Sequence, residues 1–283
     1  MVHPYLASSN TVNNPETVDA RALAGPIIGM LPRLHVLVIG PGLGRDPVTL
    51  KVIAEVIREA RARSVPFILD ADGLFLVTKH PDLIKGYNNC ILTPNVNEFK
   101  NLALALHVDA PSQAQVHATG AEKIRIETSA CSKLAHALDG VTIIQKGARD
   151  VVSNGLSTII SDIEGGHKRS GGQGDTLTGM LGTLMAWRVA YHNKLWDTGE
   201  KDNDKEADTD SAVRAELQNF EKRMSPCTTL LLVAWAGSGL TRECSRRAFK
   251  LKQRGLQASD LTDQVHDSFL AMIGEPAASK AVL

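Results

Sequence analysis

Aromatic side chains make up only 4% of the 283 residues, too few for the stacking platforms that read single-stranded nucleic acid. An excess of either charge is also missing. The 31 Lys and Arg balance 31 Asp and Glu, and the basic residues form no block, which argues against nucleic acid or an anionic membrane as partner. Cysteine is sparse: Cys90, Cys131, Cys227 and Cys244 lie far apart with no C-x-x-C pair. Neither a zinc set nor a disulfide framework is expected, and the four read as thiols in a reducing compartment. No apolar run is long enough to cross a bilayer, and the N-terminus carries no signal or transit pattern. The expectation is a soluble, cytoplasmic chain with one large core.

The apolar pattern of the chain predicts an alternation of strands and helices. Residues 35–40, 67–70, 91–94 and 141–146 are short apolar runs ending in Gly, Asp, Pro or Lys, the pattern of buried parallel strands. Residues 48–64, 97–106, 121–138, 176–192 and 261–273 carry helical spacing, and a further helix resumes at residues 230–235. Small residues at Ala234, Ala236, Gly237 and Gly239 are expected to let that helix pack tightly on the sheet. Residues 151–153 and 158–161 flank Asn154-Gly155, a hairpin signal. The fold class is therefore α/β: a layered domain around a mostly parallel sheet, with ligands expected beyond the carboxyl ends of the strands. One domain over 1–283 is expected. Within it, residues 194–225 form a charged insertion, richest in Asp, Glu and Lys at 197–214, whose composition predicts disorder.

The densest chemical signal is Gly165-Gly166-His167-Lys168-Arg169-Ser170-Gly171-Gly172-Gln173-Gly174-Asp175. Five glycines and two cations run directly into a helical segment. Glycine permits close backbone approach, and a helix start offers free N–H groups and positive potential to an anion. A simple helix cap needs only one Gly and one Asp, so the run points to phosphoryl chemistry with Asp175 beside a substrate hydroxyl.

Four other loops follow strands directly. Gly40-Pro41-Gly42-Leu43-Gly44 permits tight turning or a substrate near Gly44. Asp70-Ala71-Asp72-Gly73 pairs two carboxylates that either cap the next helix or serve magnesium or phosphate. Asn95, Asn97 and Glu98 stand at a strand-to-helix junction, where capping and ligand binding are equally served. Lys146-Gly147-Ala148-Arg149-Asp150 is either a charged turn or a cradle for nucleotide phosphates.

In this order and spacing, Gly40-Pro41-Gly42-Leu43-Gly44, Leu69-Asp70-Ala71-Asp72, Leu92-Thr93-Pro94-Asn95 with Glu98-Phe99, Lys146-Gly147 and Gly171-Gly172-Gln173-Gly174-Asp175 closely resemble the ATP-dependent NAD(P)H-hydrate dehydratase family, of ribokinase-like fold. The resemblance runs from Met1 to about Gly274, interrupted by the charged insertion. It implies an ATP-using lyase of metabolite repair. Such an enzyme returns the S epimer of hydrated NADH or NADPH to the functional coenzyme, releasing ADP and phosphate, by phosphorylating the ring hydroxyl and then eliminating phosphate.

Carried over by position, Asp175 is the catalytic, substrate-contacting residue. Gly44, Asn95, Val96, Asn97, Glu98, Phe99, Lys100 and Asn101 match the hydrate-binding positions. Lys146, Gly147, Ala148, Arg149 and Asp150, with Gly165, Gly166, His167, Lys168, Arg169, Ser170, Gly171, Gly172, Gln173 and Gly174, match the ATP segments. Mg2+ is expected as the counter-ion of ATP, with no ligand set legible. The partners are the NADH or NADPH hydrate and ATP, and a homo-oligomer is in keeping with compact α/β enzymes.

The family carries further glycine-containing strand and helix units ahead of the position matching Met1. Their absence here predicts a sheet with an exposed edge and apolar surface. An upstream start would add a mitochondrial form. A small-molecule kinase of the same fold and a non-catalytic remnant are the competing readings.

Overall fold

The computed structural model describes residues 2–109, 119–203 and 205–275. Met1, residues 110–118, Asp204 and residues 276–283 of the expected domain lie outside them. The strands are β1 (Leu37–Ile39), β2 (Phe67–Leu69), β3 (Cys90–Leu92), β4 (Thr142–Gln145), β5 (Asp150–Ser153) and β6 (Thr158–Ser161). They lie side by side in sequence order. β1 to β4 run parallel, with Ile39 opposite Leu69 and Leu69 opposite Leu92. β5 and β6 are added antiparallel as the expected hairpin. Because β6 reverses β5, its end at Ser161 returns to the rim where β1 to β4 terminate. That return carries the glycine run to the carboxyl ends of the parallel strands.

The helices are α1 (Ala20–Ile28), α2 (Pro47–Ala62), α3 (Asp72–Lys79), α4 (Val96–Ala105), α5 (Gly120–Ala137), α6 (Gln173–His192), α7 (Asp210–Glu216), α8 (Pro226–Lys252), α9 (Ala258–Thr262) and α10 (Val265–Ile273). Strand side chains alternate between two apolar layers, as a period of two requires. Phe67, Leu69, Cys90, Leu92 and Ile143 pack with α2 to α5. Ile68, Ile91, Ile144 and Val152 pack with Leu177, Leu181 and Met185 of α6 and Leu230, Leu231 and Ala234 of α8. Each large side chain so buried contributes about 1.5–3 kcal/mol.

Three differences from the sequence reading have plain causes. The small residues of α8 serve its contact with a helix as much as with the sheet: a Cβ on Gly237 would stand 2.4 Å from Leu181 Cδ2 of α6. The charged stretch expected to be disordered holds α7 and buries Ala207 and Val213 against the α6–α8 layer. Two apolar side chains in a polar run suffice once a neighbouring layer receives them. Asp72 and Gly73, read as part of the loop, already belong to the helix that follows, α3, whose Leu74, Leu76 and Val77 are buried. At the outer strand β1, Val38 remains 44% exposed.

Candidate active site

The rim begins with two turns locked together. Gly40 has φ +124°, and a Cβ there would lie 1.8 Å from the Asp70 carbonyl oxygen. The end of β1 therefore lies directly on the Asp70–Gly73 turn. That turn is closed by the Gly73 amide donating to the Asp70 carbonyl at 2.9 Å. Ala71 sits inside it at φ 48° and ψ −116°, a conformation that glycine adopts more readily and that stores about 1–3 kcal/mol of strain. Neither Asp70 nor Asp72 caps α3 through its side chain. They point to different partners. Asp70, only 4% exposed, accepts from Lys146 Nζ at 2.8 Å. Asp72 accepts from the Gly44 amide at 3.0 Å and from Arg45 Nε at 2.8 Å.

Lys146 follows β4, and its amide donates to the Pro94 carbonyl at 2.8 Å. Its side chain on Asp70 and its backbone on Pro94 thus join the ends of β2, β3 and β4. The turn after it closes through Asp150, whose Oδ1 accepts from the Gly147 amide at 2.9 Å and from Arg242 Nη1 at 3.1 Å. The other oxygen of Asp150 accepts from Ser238 Oγ at 2.8 Å. Arg242 also donates to the carbonyls of Ile163 and Ala148. A single guanidinium on α8 therefore fixes the 146–150 turn and the segment after β6 together.

The glycine run forms the facing wall of a cleft of about 840 Å³. Lys146, Gly147, Ala148, Arg149, Asp150, Gly165, Gly166, His167, Arg169, Ser170, Gln173 and Gly174 all line it. Gly166 lies against α8, where a Cβ would be 2.5 Å from the Ser245 carbonyl. Arg169 Nη2 reaches across to the Gly147 carbonyl at 3.1 Å. Gln173 Nε2 donates to the Lys168 carbonyl at 3.2 Å, which holds the loop in its curl. Two helices begin at this cleft, α6 at Gln173 and α5 at Gly120. Their unpaired N–H groups and dipoles favour negative charge there.

Three expected ATP positions lie elsewhere. Lys168 donates to the Arg254 carbonyl at 2.5 Å and the Leu256 carbonyl at 2.9 Å, so its charge ties the loop to the chain after α8. Gly171 and Gly172 stand outside the cleft lining, and Gly172 makes the left-handed start of α6 at φ 90°. Conversely, Thr119, Lys123, Glu127, Asp162, Thr241, Arg242 and Ser245 line the cleft and were missed from sequence. They come from three distant segments with no local motif.

The α6 terminus separates this cleft from a second hollow of about 450 Å³. Gly174 and Asp175 occupy opposite sides of that divide. A Cβ on Gly174 would lie 3.0 Å from Asp70 Oδ2, whereas exposed Asp175 lines the second hollow with Thr176, Gly179 and residues of α9 and α10. Gly44 and Asn95 to Asn101 line neither space. They sit on the rim after β1 and β3. Asn95 accepts from the Asn97 and Glu98 amides at 2.9 and 3.0 Å, and Glu98 accepts from the Asn95 amide at 2.8 Å. The junction is thus a capping box of α4, which commits the Asn95 and Glu98 side chains to the helix. Phe99 is 4% exposed and belongs to the core, because position N4 of α4 faces the sheet. Val96, Asn97, Lys100 and Asn101 remain exposed.

A family model described as NAD(P)H-hydrate dehydratase matches residues 2–208. The chain is 67% identical to an ATP-dependent (S)-NAD(P)H-hydrate dehydratase of Aspergillus fumigatus, covering 100% of this chain and 77% of that one. A protein of the same name from Emericella nidulans is 64% identical over 99% of this chain and 76% of its own length. The Mus musculus relative, again of that name, is 35% identical over 95% of this chain and 64% of its own. Among solved structures, a ribokinase-like superfamily protein from Enterococcus faecalis matches with TM-score 0.56 and 17% identity, over 90% of this chain and 69% of that one. A hypothetical protein from Streptococcus mutans matches at 0.57 and 16%, over 89% and 71%. These matches settle the assignment: the fold is ribokinase-like, and the chain belongs to the NAD(P)H-hydrate dehydratase family.

Proposed function

We propose that this protein is an ATP-dependent lyase that dehydrates the S epimer of NADH or NADPH hydrate, returning the coenzyme with ADP and phosphate. The observation that carries the reading is the cleft where two helix N-termini, Lys146 and the glycine wall meet, one residue from exposed Asp175. A polyphosphate is matched there by backbone N–H groups and fixed cations. Hydroxide is a poor leaving group and phosphate a good one, which gives ATP its purpose. The ring hydroxyl oxygen bonds the γ-phosphorus as the bond to ADP breaks. The carbon–oxygen bond then breaks with loss of a ring proton, restoring the double bond.

Asp175 orients that hydroxyl and accepts its proton. Its place in the first turn of α6 fixes it in position, and positioning dominates phosphoryl transfer through a loose transition state. Lys146 is held on Asp70 at the cleft wall, where its charge faces the phosphates. Asp70 has one oxygen on Lys146 and the other toward Gly174. Asp70 is buried, paired with Lys146 and not part of the cleft lining, so Mg2+ would enter as the counter-ion of ATP, held by its phosphate oxygens. Four free thiols, three of them buried, support the cytoplasm as the compartment.

The test is Asp175→Ala. ATP-dependent recovery of reduced-nicotinamide absorbance from hydrated NADH should vanish while ATP affinity stays within about threefold, because the glycine wall and Lys146 are untouched. Equal loss of both would make Asp175 a structural cap. A small-molecule kinase would instead accumulate a phosphorylated product with no free phosphate.

A further inference from the structure

Arg45 is the cation of the rim that the family assignment leaves without a role. It follows Gly44 directly, and its side chain is 63% exposed. An arginine that open to solvent ordinarily samples many rotamers, and holding it still costs side-chain entropy. Here it is held on two sides. Asp72 Oδ1 accepts from Nε at 2.8 Å, and the guanidinium carbon lies 4.4 Å above the Phe75 ring centre. The same carboxylate receives the Gly44 amide through its other oxygen, so the loop and the guanidinium are set by one group. Lys79 Nζ lies 4.4 Å from the same ring, which adds a second positive charge to this stretch of rim. Among the described residues, neither Nη of Arg45 has a hydrogen-bond partner within the chain. A stacked guanidinium with its outer edge free has the geometry for two parallel bonds to phosphate oxygens.

A single turn links this group to the ATP side. Asp70 and Asp72 are two residues apart on either side of strained Ala71. One faces Lys146 and Gly174, and the other faces Gly44 and Arg45. The reacting ring and the charged remainder of a dinucleotide are far enough apart to need separate contacts. A solvent-exposed ion pair alone contributes little to stability, which gives little structural reason to clamp Arg45 from two directions.

We propose that Arg45 is a specificity-determining residue that binds phosphate groups of the dinucleotide substrate, held ready by Asp72 and Phe75. The proposal rests on the dehydratase reading for its substrate. Its test uses equilibrium binding of NADH and NADPH, the products, read by reduced-nicotinamide fluorescence, so a failure of turnover does not obscure it. Arg45→Met keeps the packing over Phe75 and removes the charge. The dissociation constant should rise about tenfold or more, as expected for losing a charge-assisted phosphate contact. The KM for the hydrate should rise in parallel, with kcat at saturation and KM for ATP within about twofold. Arg45→Lys should recover part of the loss, since it restores charge without the planar fork.

A loss shared by NADH and NADPH assigns Arg45 to the diphosphate, and a loss confined to NADPH assigns it to the 2′-phosphate. Unchanged affinity for both overturns the proposal. So does a lowered melting temperature with kcat and ATP affinity falling together, which would make the clamp purely structural. If wild-type protein binds the coenzymes but never converts the hydrate with ATP, the dehydratase reading fails on its own.

Discussion

Gly174→Ala separates the positioning of the glycine wall from the stability of its helix. Gly174 is the second residue of α6 and has an ordinary φ, so alanine meets no backbone strain. An exposed helical Gly→Ala change gains up to about 1 kcal/mol. Against this, the new Cβ would stand 3.0 Å from Asp70 Oδ2, some tenths of an ångström inside comfortable contact. Asp70 is buried and tied to Lys146 at 2.8 Å, so either the ion pair loosens or the start of α6 lifts. Either response costs roughly what the helix gains, about 0.5–1 kcal/mol for a weakened hydrogen bond. Net stability should change by less than about 1 kcal/mol, which is within about 2–4 °C in melting temperature.

Activity has no such compensation. Displacement of a reacting group by 1 Å can cost about a hundredfold, so a shift of a few tenths should lower kcat about tenfold, with ATP affinity reduced as well. The assay is ATP-dependent recovery of reduced-nicotinamide absorbance from the hydrate, run beside a thermal melt. Gly25→Ala in α1, where a Cβ meets nothing within 4 Å, is the control that gains helix propensity without touching the rim. Wild-type kcat in Gly174→Ala would refute the close-approach argument. A melt lowered by more than about 6 °C would mean that Asp70 has no room to yield.

Two further outcomes follow from packing and burial. Gly40→Ala should cost more than about 3 kcal/mol, since its Cβ would stand 1.8 Å from the Asp70 carbonyl oxygen at φ +124°; a thermal or urea melt of the purified variant measures it. His192 is half-buried and accepts or donates at Thr229 Oγ1 at 2.7 Å, and burial first, then Arg188, lowers its pKa from 6.5 to about 4. The unfolded chain then binds more protons between those values. The stabilisation is complete above pH 6.5 and is lost as pH falls toward 4. In His192→Gln the fall in melting temperature across that interval should be smaller than in wild type.

How much of this was legible in the sequence depended on how local the cause was. The strands, the hairpin at Asn154-Gly155 and the helix after the glycine run were readable because their periodicity and turn residues act within a few positions. The Asn95–Glu98 junction was readable as a cap or a ligand site, and only the reciprocal hydrogen bonds showed that the two side chains cap α4. Lys168 looked like a phosphate cation beside Arg169. Its partners, the carbonyls after α8, lie more than eighty residues on in the chain, where no spacing rule reaches.

The sequence by itself determined the α/β class, the order of the rim loops and the glycine run that leads into α6. Each of these is carried by residue type and short spacing. Tertiary structure alone decided that Arg242 would fix the 146–150 turn, that Asp70 would hold Lys146 beneath Gly174, and that Asp72 would hold Arg45. Those pairings join loops through the register of four parallel strands and the packing of α6 and α8. Such contacts arise only when hydrophobic burial has set the layers and brought the strand ends to one rim.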